Sequence, residues 1–399
     1  MNTADGSAVV IRRIDLSNFR NYAALHLQIG PGPIVLTGAN GSGKTNLLEA
    51  LSMFLPGRGM RSAGFDAMLH NKAQQPQWAV SLHLESHGER LKIGTSWQQS
   101  ANGGGQTRQA SIDGQPAKGI NAFGDYIRLI WLTPAMDRLF AGSGSDRRRF
   151  LDRIVAATDL DHRQRLNSFD KLMRQRNALL AEGQFDPAWM AVLEQQMAEQ
   201  AVAIAATRLA AIDVLQGHID NTRQAASLSV FPAARLMLDG DIEASLRHTP
   251  AVQSEDEYAK ILCDSRKIDQ AAGRTLNGPH RSDLIVFHSE KNMEAKACST
   301  GEQKALLVGL VLAQARMVQS AFGGQMPVLL LDEIAAHLDE DRRKGLFDEL
   351  TRSQAQCWLT GTDKMQFEAL ETTAQFLTVS DGKIISDGKI ISGGKIQPS

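Results

Sequence analysis

A glycine-rich segment near the start constrains the fold of this chain more than any other feature. It follows the apolar run Ile34–Thr37 and precedes the helical pattern Asn46–Phe54. Phosphate oxygens need several backbone N–H groups that point inward, and glycines leave those groups unobstructed. The segment fits the pattern G-x-x-x-x-G-K-[ST] and predicts a strand, a phosphate-binding loop and a helix in an α/β nucleotide-binding fold. Its residues are Gly38, Ala39, Asn40, Gly41, Ser42, Gly43, Lys44 and Thr45.

A second apolar run, Val328–Leu331, ends in Asp332 and Glu333. It predicts a buried parallel strand that delivers two carboxylates to the edge of the sheet where ligands bind. We expect Lys44 to reach the β and γ phosphates and Thr45 with Asp332 to hold Mg²⁺. Glu333 would polarise the attacking water. Alone, a strand followed by two acids more often begins a helix, but the phosphate loop favours the catalytic interpretation.

A third segment, residues 298–304, reads Cys-Ser-Thr-Gly-Glu-Gln-Lys and precedes the apolar helical run Ala305–Val318. Ser299, the backbone of Gly301 and the helix N-terminus together form a possible anion site. Ser299 with Glu302 also matches a capping box, which is the simpler interpretation when the segment is taken alone.

The division of the chain into domains is predicted from changes in the spacing of its apolar residues. The first third has short alternating runs typical of an antiparallel sheet, and the middle has apolar residues spaced as on one face of a helix. We predict residues 1–140 and 276–385 as two parts of one ATPase head, 141–275 as an inserted helical arm and 386–399 as a flexible tail. The first DGKIIS copy, beginning at Asp381, is expected to close the fold with a hairpin. The helical series is Met190, Leu193, Met197, Ala201, Ala205, Leu209, Ile212, Leu215 and Ile219.

Charge restricts how the chain could bind nucleic acid. The 43 Lys and Arg against 44 Asp and Glu give a formal net charge of −1, so binding requires a local basic patch. Residues 146–176 carry nine basic side chains and five aspartates, on a helix that Asp146 is expected to cap. A solvated helix face is an equally good interpretation. The candidate phosphate-backbone contacts are Arg147, Arg148, Arg149 and Arg153.

Other classes of protein are disfavoured. No apolar run approaches the ~20 residues of a membrane span, and the first residues lack the order of a signal peptide. The three cysteines lie far apart, without the spacing of a zinc or redox site. A cytoplasmic protein is the default expectation.

The order of the three segments, with Ala335–Asp339 after the acidic strand, resembles the head of ABC-type ATPases of the SMC and Rad50 kind. Three shorter segments, Asn18–Tyr22, Gly278–Leu284 and Ser299–Lys304, are similar to those of the RecF family of bacterial recombination mediators. The resemblance covers roughly residues 8–385 and implies a P-loop ABC-type head. Such a head has a mixed sheet, an antiparallel β lobe and an inserted α-helical arm.

The resemblance also implies a mechanism. ATP held by the phosphate loop of one subunit would meet Ser299, Gly301 and Glu302 of another, with Asp339 at the shared interface, so ATP would favour a homodimer. Arg20 would approach the nucleotide from the N-terminal sheet. The family implies binding of double-stranded DNA beside single-stranded gaps and junctions, in a pathway with RecR, RecO and RecA.

The sequence departs from the usual ABC pattern at three places. Thr300 stands where the usual signature has its first glycine, a variant that RecF-like chains commonly carry. Thr133-Pro134 occupies the neighbourhood of the usual Mg²⁺-sensing glutamine, and Thr360 or Thr362 would have to replace the switch histidine at the γ-phosphate. We therefore expect a weak ATPase that acts as a DNA-binding switch. The alternatives are an ABC-type ATPase subunit of a nuclease or effector system, or of a membrane transporter.

Overall fold

The computed structural model describes residues 9–86, 88–99, 108–183, 185–224, 230–386 and 389–390. The chain divides into two compact units, and the first consists of Met1–Met136, Ser227–Phe231 and Ala315–Ser399. The second consists of Asp137–Ala226 and Pro232–Gln314. The predicted arm, 141–275, lies in the second unit apart from Ser227–Phe231. Residues 276–314, predicted as part of the head, belong to that unit too, because a strand at 283–288 pairs with one at 234–239.

The strands are β1 (Val10–Phe19), β2 (Tyr22–Gln28), β3 (Ile34–Thr37), β4 (Gln77–Ser86), β5 (Glu89–Gln98), β6 (Gln109–Ile112), β7 (Gln115–Pro116), β8 (Leu129–Leu132), β9 (Ala234–Asp239), β10 (Asp283–His288), β11 (Met293–Glu294), β12 (Val328–Leu331), β13 (Cys357–Gly361), β14 (Gln375–Ser380), β15 (Lys383–Ser386) and β16 (Lys389–Ile390). The helices are α1 (Lys44–Ser52), α2 (Gly144–Ala156), α3 (His162–Glu182), α4 (Pro187–Gln224), α5 (Asp241–Leu246), α6 (Ala251–Asp264), α7 (Arg266–Ala272), α8 (Thr300–Ala321) and α9 (Glu340–Arg352). Short 3-10 turns lie at Asp66–Met68, Ile120–Asp125, Pro134–Met136, Ala295–Ala297, Ile334–His337 and Lys364–Leu370.

The first unit contains an antiparallel sheet with strand order β2-β1-β4-β5-β6-β7. Alternate side chains of β4, namely Trp78, Val80, Leu82 and Leu84, are buried, so the predicted antiparallel lobe is confirmed. Between β6 and β7 the chain turns at Asp113 and Gly114, and both have positive φ, as a tight hairpin turn requires.

A seven-stranded sheet in the same unit has the order β16-β15-β14-β3-β13-β12-β8. Its five strands from β14 to β8 are parallel. All residues of β3, β12 and β13 are buried, which is typical of parallel strands covered on both faces. Because parallel strands end at the same edge, the segments after β3, β12 and β13 emerge together. β15 pairs antiparallel with β14 and confirms the predicted closing hairpin.

The predicted tail lies largely outside the described residues, which end at 386 apart from β16.

The second unit is mainly helical, with a small sheet of order β11-β10-β9. Its longest helix, α4, has 38 residues, and eight of the nine predicted apolar positions are buried, Leu209 being half-buried. In the part of the chain that the structure describes, α4 is also the one helix long and apolar enough to cross a membrane, with a mean hydropathy of 1.3 over 18 of its residues. Its apolar side chains pack in the core of this unit, together with paired charges at Glu194 and Arg208. We therefore interpret α4 as a core helix.

The predicted cap of α2 is wrong by three residues. The helix begins at Gly144, and Ser143 is its N-cap, whose side chain accepts a hydrogen bond from the Asp146 backbone N–H. A serine hydroxyl before the first turn satisfies an amide that has no partner within the helix, which leaves Asp146 inside the first turn.

Candidate nucleotide-binding site

The phosphate loop lies between β3 and α1, as predicted. Gly38 and Gly43 have φ of 144° and 119°, which side chains rarely tolerate. A Cβ on Gly38 would lie 2.2 Å from the carbonyl oxygen of Val379, and one on Gly43 would lie 2.3 Å from Asn21 Nδ2. The glycines are thus required by both the backbone and its close neighbours.

Lys44 is buried, and its side-chain amine contacts the backbone of the phosphate loop. Its Nζ donates hydrogen bonds to the carbonyl oxygens of Gly38, at 2.7 Å, and Ala39, at 2.9 Å. Burial lowers the pKa of Lys44, although the charges of Glu333 and Asp332 oppose that shift. A bound phosphate would offer this cation stronger, charged acceptors in place of the two carbonyls.

Thr45 and Asp332 are brought together from distant parts of the sequence. Thr45 Oγ1 donates to Asp332 Oδ1 at 2.9 Å, and Asp332 is 5% exposed. Burial raises the pKa of Asp332, against the hydrogen bonds from Thr360 and Thr45. One hydroxyl and one carboxylate fit Mg²⁺, which takes few protein oxygens and completes its shell with water and phosphate. Among the described residues, no group of three or more His, Cys, Asp or Glu suited to a metal occurs.

Glu333 occupies a left-handed backbone conformation, with φ of 51°, which is uncommon for a residue with a side chain. Its N–H donates to Thr360 Oγ1 at 2.8 Å, and Thr360 Oγ1 donates to Asp332 Oδ1 at 2.8 Å. Thr360 is fully buried, whereas Thr362 is exposed just beyond β13. Of the two predicted γ-phosphate contacts, Thr362 is therefore the accessible one. We call residues 38–45 with Asp332, Glu333 and Thr360 the nucleotide cradle.

The turn between β1 and β2 holds the phosphate loop from the outside, a role that sequence reasoning missed. Asn21 Nδ2 donates to the Ser42 carbonyl oxygen at 2.9 Å, and Tyr22 donates its hydroxyl to the Gly43 carbonyl at 3.0 Å. Asn46 Nδ2 in turn donates to Asn21 Oδ1 at 2.8 Å. Two side chains thus hold the Ser42 and Gly43 carbonyls of the phosphate loop in place.

Arg20, which the sequence predicts at the nucleotide, forms an ion pair with Glu49 of α1. Its guanidinium donates to both carboxylate oxygens of Glu49 at 2.8 Å and to the Ala67 carbonyl at 2.6 Å. Glu49 is fully buried, so Arg20 neutralises a charge that burial would otherwise make costly. A direct contact between Arg20 and nucleotide stays a prediction.

In the second unit, residues 298–304, here called the signature turn, form a capping box. Glu302 Oε2 accepts from the Ser299 backbone N–H at 3.0 Å and from its hydroxyl at 2.9 Å, which confirms the simpler interpretation of this pair. Lys291, which sequence reasoning missed, pairs with Glu302 and, with the Ser299 hydrogen bonds, lowers the pKa of Glu302 to about 2. Ser299 and Gly301 are exposed, and a Cβ on Gly301 would meet no atom within 4 Å. The fold itself therefore does not require this glycine, and the role of Gly301 at a second subunit stays a prediction.

Asp339, in the first unit, is the N-cap of α9 and accepts from the Arg342 backbone N–H at 2.8 Å. Its side chain is 55% exposed. The capping role leaves the carboxylate at the surface, so its place at a subunit interface stays a prediction.

The predicted DNA-contacting arginines differ in their surroundings. Arg147 forms a two-point ion pair with Asp283, and Arg148 donates to the Ser282 carbonyl at 2.8 Å. Arg149 pairs with Asp146 and is 74% exposed. The Arg153 guanidinium lies 5.3 Å from the centre of the Phe150 ring.

Among the other basic residues counted in this stretch, Arg176 is fully buried between Glu194 and Asp269. The net positive charge of residues 146–176 that is counted from the sequence is therefore larger than the positive charge exposed to DNA on this helical stretch.

Comparison with known proteins agrees with these observations. The family described as "RecF/RecN/SMC N terminal domain" matches residues 10–385. The chain is 49% identical to the DNA replication and repair protein RecF of Rhizobium etli (strain CIAT 652) and 48% identical to that of Agrobacterium fabrum (strain C58 / ATCC 33970). Each match covers 94% of this chain and 98% of the relative.

Solved structures show the same fold. A structure titled "Structure of the recombination mediator protein RecF-ATPrS in RecFOR pathway" matches with a TM-score of 0.84 at 20% identity, over 96% of this chain and 100% of that one. An SMC head domain from Pyrococcus furiosus matches with a TM-score of 0.53 at 17% identity, over 96% of each chain. The α/β fold of an ABC-type ATPase head is thereby confirmed, and the chain belongs to the RecF/RecN/SMC family, within it to the RecF proteins of DNA replication and repair.

Proposed function

We propose that this chain is an ATP-operated DNA-binding switch of recombinational repair. The observation that carries the proposal is the 2.9 Å hydrogen bond between Thr45 and Asp332, because it joins the phosphate loop to the acidic strand at one edge of the sheet. The relatives that are nearly half identical are named DNA replication and repair proteins, and a solved structure with this fold is titled RecF-ATP.

Each part of the cradle has a role toward ATP and water. The backbone N–H groups of residues 38–45 and the Lys44 amine bind the phosphates, while Thr45 and Asp332 hold Mg²⁺. The cation, when bound, neutralises charge that develops on the phosphates. Glu333 orients the attacking water and accepts its proton. Hydrolysis is slow because a threonine, and not a histidine, follows β13 at the γ-phosphate.

The signature turn supplies the second half of the ATP contact, from another copy of the chain. Ser299 and Gly301 are exposed at the start of a 22-residue helix, where backbone N–H groups favour an anion. A nucleotide that touches two subunits must stabilise their association. ATP therefore favours a homodimer, and hydrolysis releases it.

The dimer would bind double-stranded DNA at junctions with single strands through exposed basic residues such as Arg149. The contacts are to backbone phosphates and carry no base preference. The pathway partners are RecR, RecO and RecA, and the site of action is the cytoplasm, in keeping with a solved structure whose title places RecF in the RecFOR pathway.

The decisive experiment is analytical ultracentrifugation of the Glu333→Gln protein with ATP, with and without gapped duplex DNA. Glutamine keeps the shape of the side chain and removes the base, so an ATP-bound dimer should accumulate and sediment with the DNA. Lys44→Met in the same background is the control and should stay monomeric. A Glu333→Gln protein that remains monomeric in saturating ATP would overturn the proposal that Ser299 acts across the dimer.

A further inference from the structure

Thr360 is fully buried at the end of β13 and contacts both acids that follow β12. Its hydroxyl is 2.8 Å from Asp332 Oδ1 and 2.8 Å from the Glu333 backbone nitrogen. The parallel pairing of β12 with β13 places Leu331 opposite Leu359, so Thr360 lies level with the point where the acidic strand ends.

We propose that Thr360 is a positioning residue for the ATPase reaction: its hydroxyl fixes Asp332 for the cation and Glu333 for the attacking water. The inference rests on the proposed function and assigns a task to a side chain first expected at the γ-phosphate. Thr360 thereby determines the Mg²⁺ concentration at which nucleotide binds and the rate at which bound ATP is hydrolysed.

The directions of the hydrogen bonds follow from the atoms. A backbone N–H can only donate, so the Thr360 oxygen accepts from Glu333, and its single proton goes to Asp332. Thr45 also donates to the same oxygen, Asp332 Oδ1. Two donors on one oxygen fix the rotation of the carboxylate, which is the usual way in which a protein orients a metal ligand.

The contact to Glu333 has a different consequence. A residue with a side chain at φ of 51° is strained, and such strain persists only where neighbouring groups hold it. The Thr360 oxygen is the acceptor of the Glu333 amide. Without it, Glu333 is free to relax toward ordinary backbone angles, and its carboxylate loses the position from which it orients water.

The test compares Thr360→Val, which keeps the shape and removes the hydroxyl, with Thr360→Ser, which keeps the hydroxyl. Thr95→Val is the matched control, because Thr95 is also buried and donates to the Gln109 carbonyl at 3.0 Å, in the antiparallel lobe. Binding of a fluorescent ATP analogue is titrated with Mg²⁺, and kcat and KM for ATP are measured at saturating Mg²⁺. Thermal melts establish folding, and Thr360→Ala replaces the valine variant if that one does not fold.

For Thr360→Val we expect the Mg²⁺ midpoint of nucleotide binding to rise about tenfold, and kcat to fall about 10- to 100-fold. KM for ATP should be nearly unchanged, because the phosphate loop is intact. Thr360→Ser should restore both quantities toward the wild type, and Thr95→Val should change neither.

Two results would overturn the inference alone: wild-type Mg²⁺ dependence and kcat in a folded Thr360→Val protein, or a Thr360→Ser protein as impaired as the valine variant. A wild-type chain that binds no ATP at any Mg²⁺ concentration would overturn both the inference and the proposed function.

Discussion

The nucleotide cradle and the signature turn are built in opposite ways. The side-chain contacts that join the cradle's motifs are long-range: Thr45 and Asp332 are 287 positions apart, and Thr360 and Asp332 are 28. Asn21, which supports the cradle from the turn between β1 and β2, is 21 positions from Ser42. In the signature turn the capping contacts join Ser299 with Glu302, three positions apart, and Lys291 with Glu302, eleven apart. The cradle depends on the whole sheet, whereas the cap of the turn depends on one short stretch, although Lys304 at the end of the turn also pairs with Asp137, 167 positions away.

This difference predicts whether a substitution changes ATP binding by a single chain or the contribution of a second chain. Lys44, Asp332 and Thr360 of the cradle are buried and already have partners within the chain, so changes to them should alter ATP binding by a single chain. Ser299 and Gly301 are exposed, so changes there should leave binding by a single chain intact and alter what a second chain contributes. Four experiments test this separation.

The largest effect is expected for Lys44→Met, which removes the cation from the phosphate loop. Charged hydrogen bonds contribute about 1.5–3 kcal/mol each, so ATP affinity should fall about 100-fold or more. Isothermal titration calorimetry with ATP measures the change. Lys92→Met, an exposed lysine of β5, is the control and should bind ATP like the wild type, while near-normal ATP binding by Lys44→Met would contradict the role of the loop.

The motifs of the cradle could be predicted from sequence because their chemistry fixes both residue types and neighbours. A glycine-rich loop needs a strand before it and a helix after it, and an apolar strand that ends in acids identifies its own position. Ile34–Thr37 and Val328–Leu331 are strands with the predicted bounds.

The supporting residues could not be predicted, because their roles depend on strand register. Thr360 reaches Asp332 only through the parallel pairing of β12 and β13, and Asn21 reaches Ser42 only across separate segments of the unit. One signal was available, however: Glu49 lies among apolar residues of the predicted helix after the phosphate loop. A buried glutamate needs a cationic partner, and Arg20 supplies it together with Arg61.

Ser299→Ala should separate the two regions most clearly. It removes a cap, which costs about 1 kcal/mol of stability, and it removes the hydroxyl offered to the second subunit's ATP. ATP binding by the monomer should be unchanged, and the ATP-induced dimer should weaken about tenfold or more, as measured by ultracentrifugation in the Glu333→Gln background.

Ser143→Ala is its matched control, since Ser143 caps α2 in the same way. It should cost similar stability without weakening the dimer. Equal dimerisation by the two alanine variants would mean that Ser299 is only a cap.

Asn21→Ala should lower ATP affinity by a smaller factor, because it changes the support of the cradle and leaves the signature turn intact. The Ser42 carbonyl and the Asn46 amide each lose a neutral hydrogen bond, at about 1 kcal/mol apiece, so ATP affinity should fall about 3- to 10-fold. Gln375→Ala is the control, because its amide holds the loop before β3 by accepting from the Gly30 backbone N–H at 2.8 Å, away from the phosphates. If Gln375→Ala weakens ATP binding as much as Asn21→Ala does, the effect reflects stability of the sheet and not the turn.

The smallest effect concerns the pH range of the signature turn. The pKa of Glu302 is about 2, against an ordinary value of 4.5, so its ionised form stabilises the turn fully above pH 4.5 and that contribution is lost as pH falls toward 2. Because Glu302 pairs with Lys291 at the exposed surface, screening by solvent keeps the contribution small. Carboxyl NMR titration should show Glu302 ionised at pH 4, and Lys291→Met should return its pKa toward 4.5. Titration of Glu302 near 4.5 in the intact protein would show that the turn is not held by its own charges, and that its geometry, like that of the cradle, comes from the fold around it.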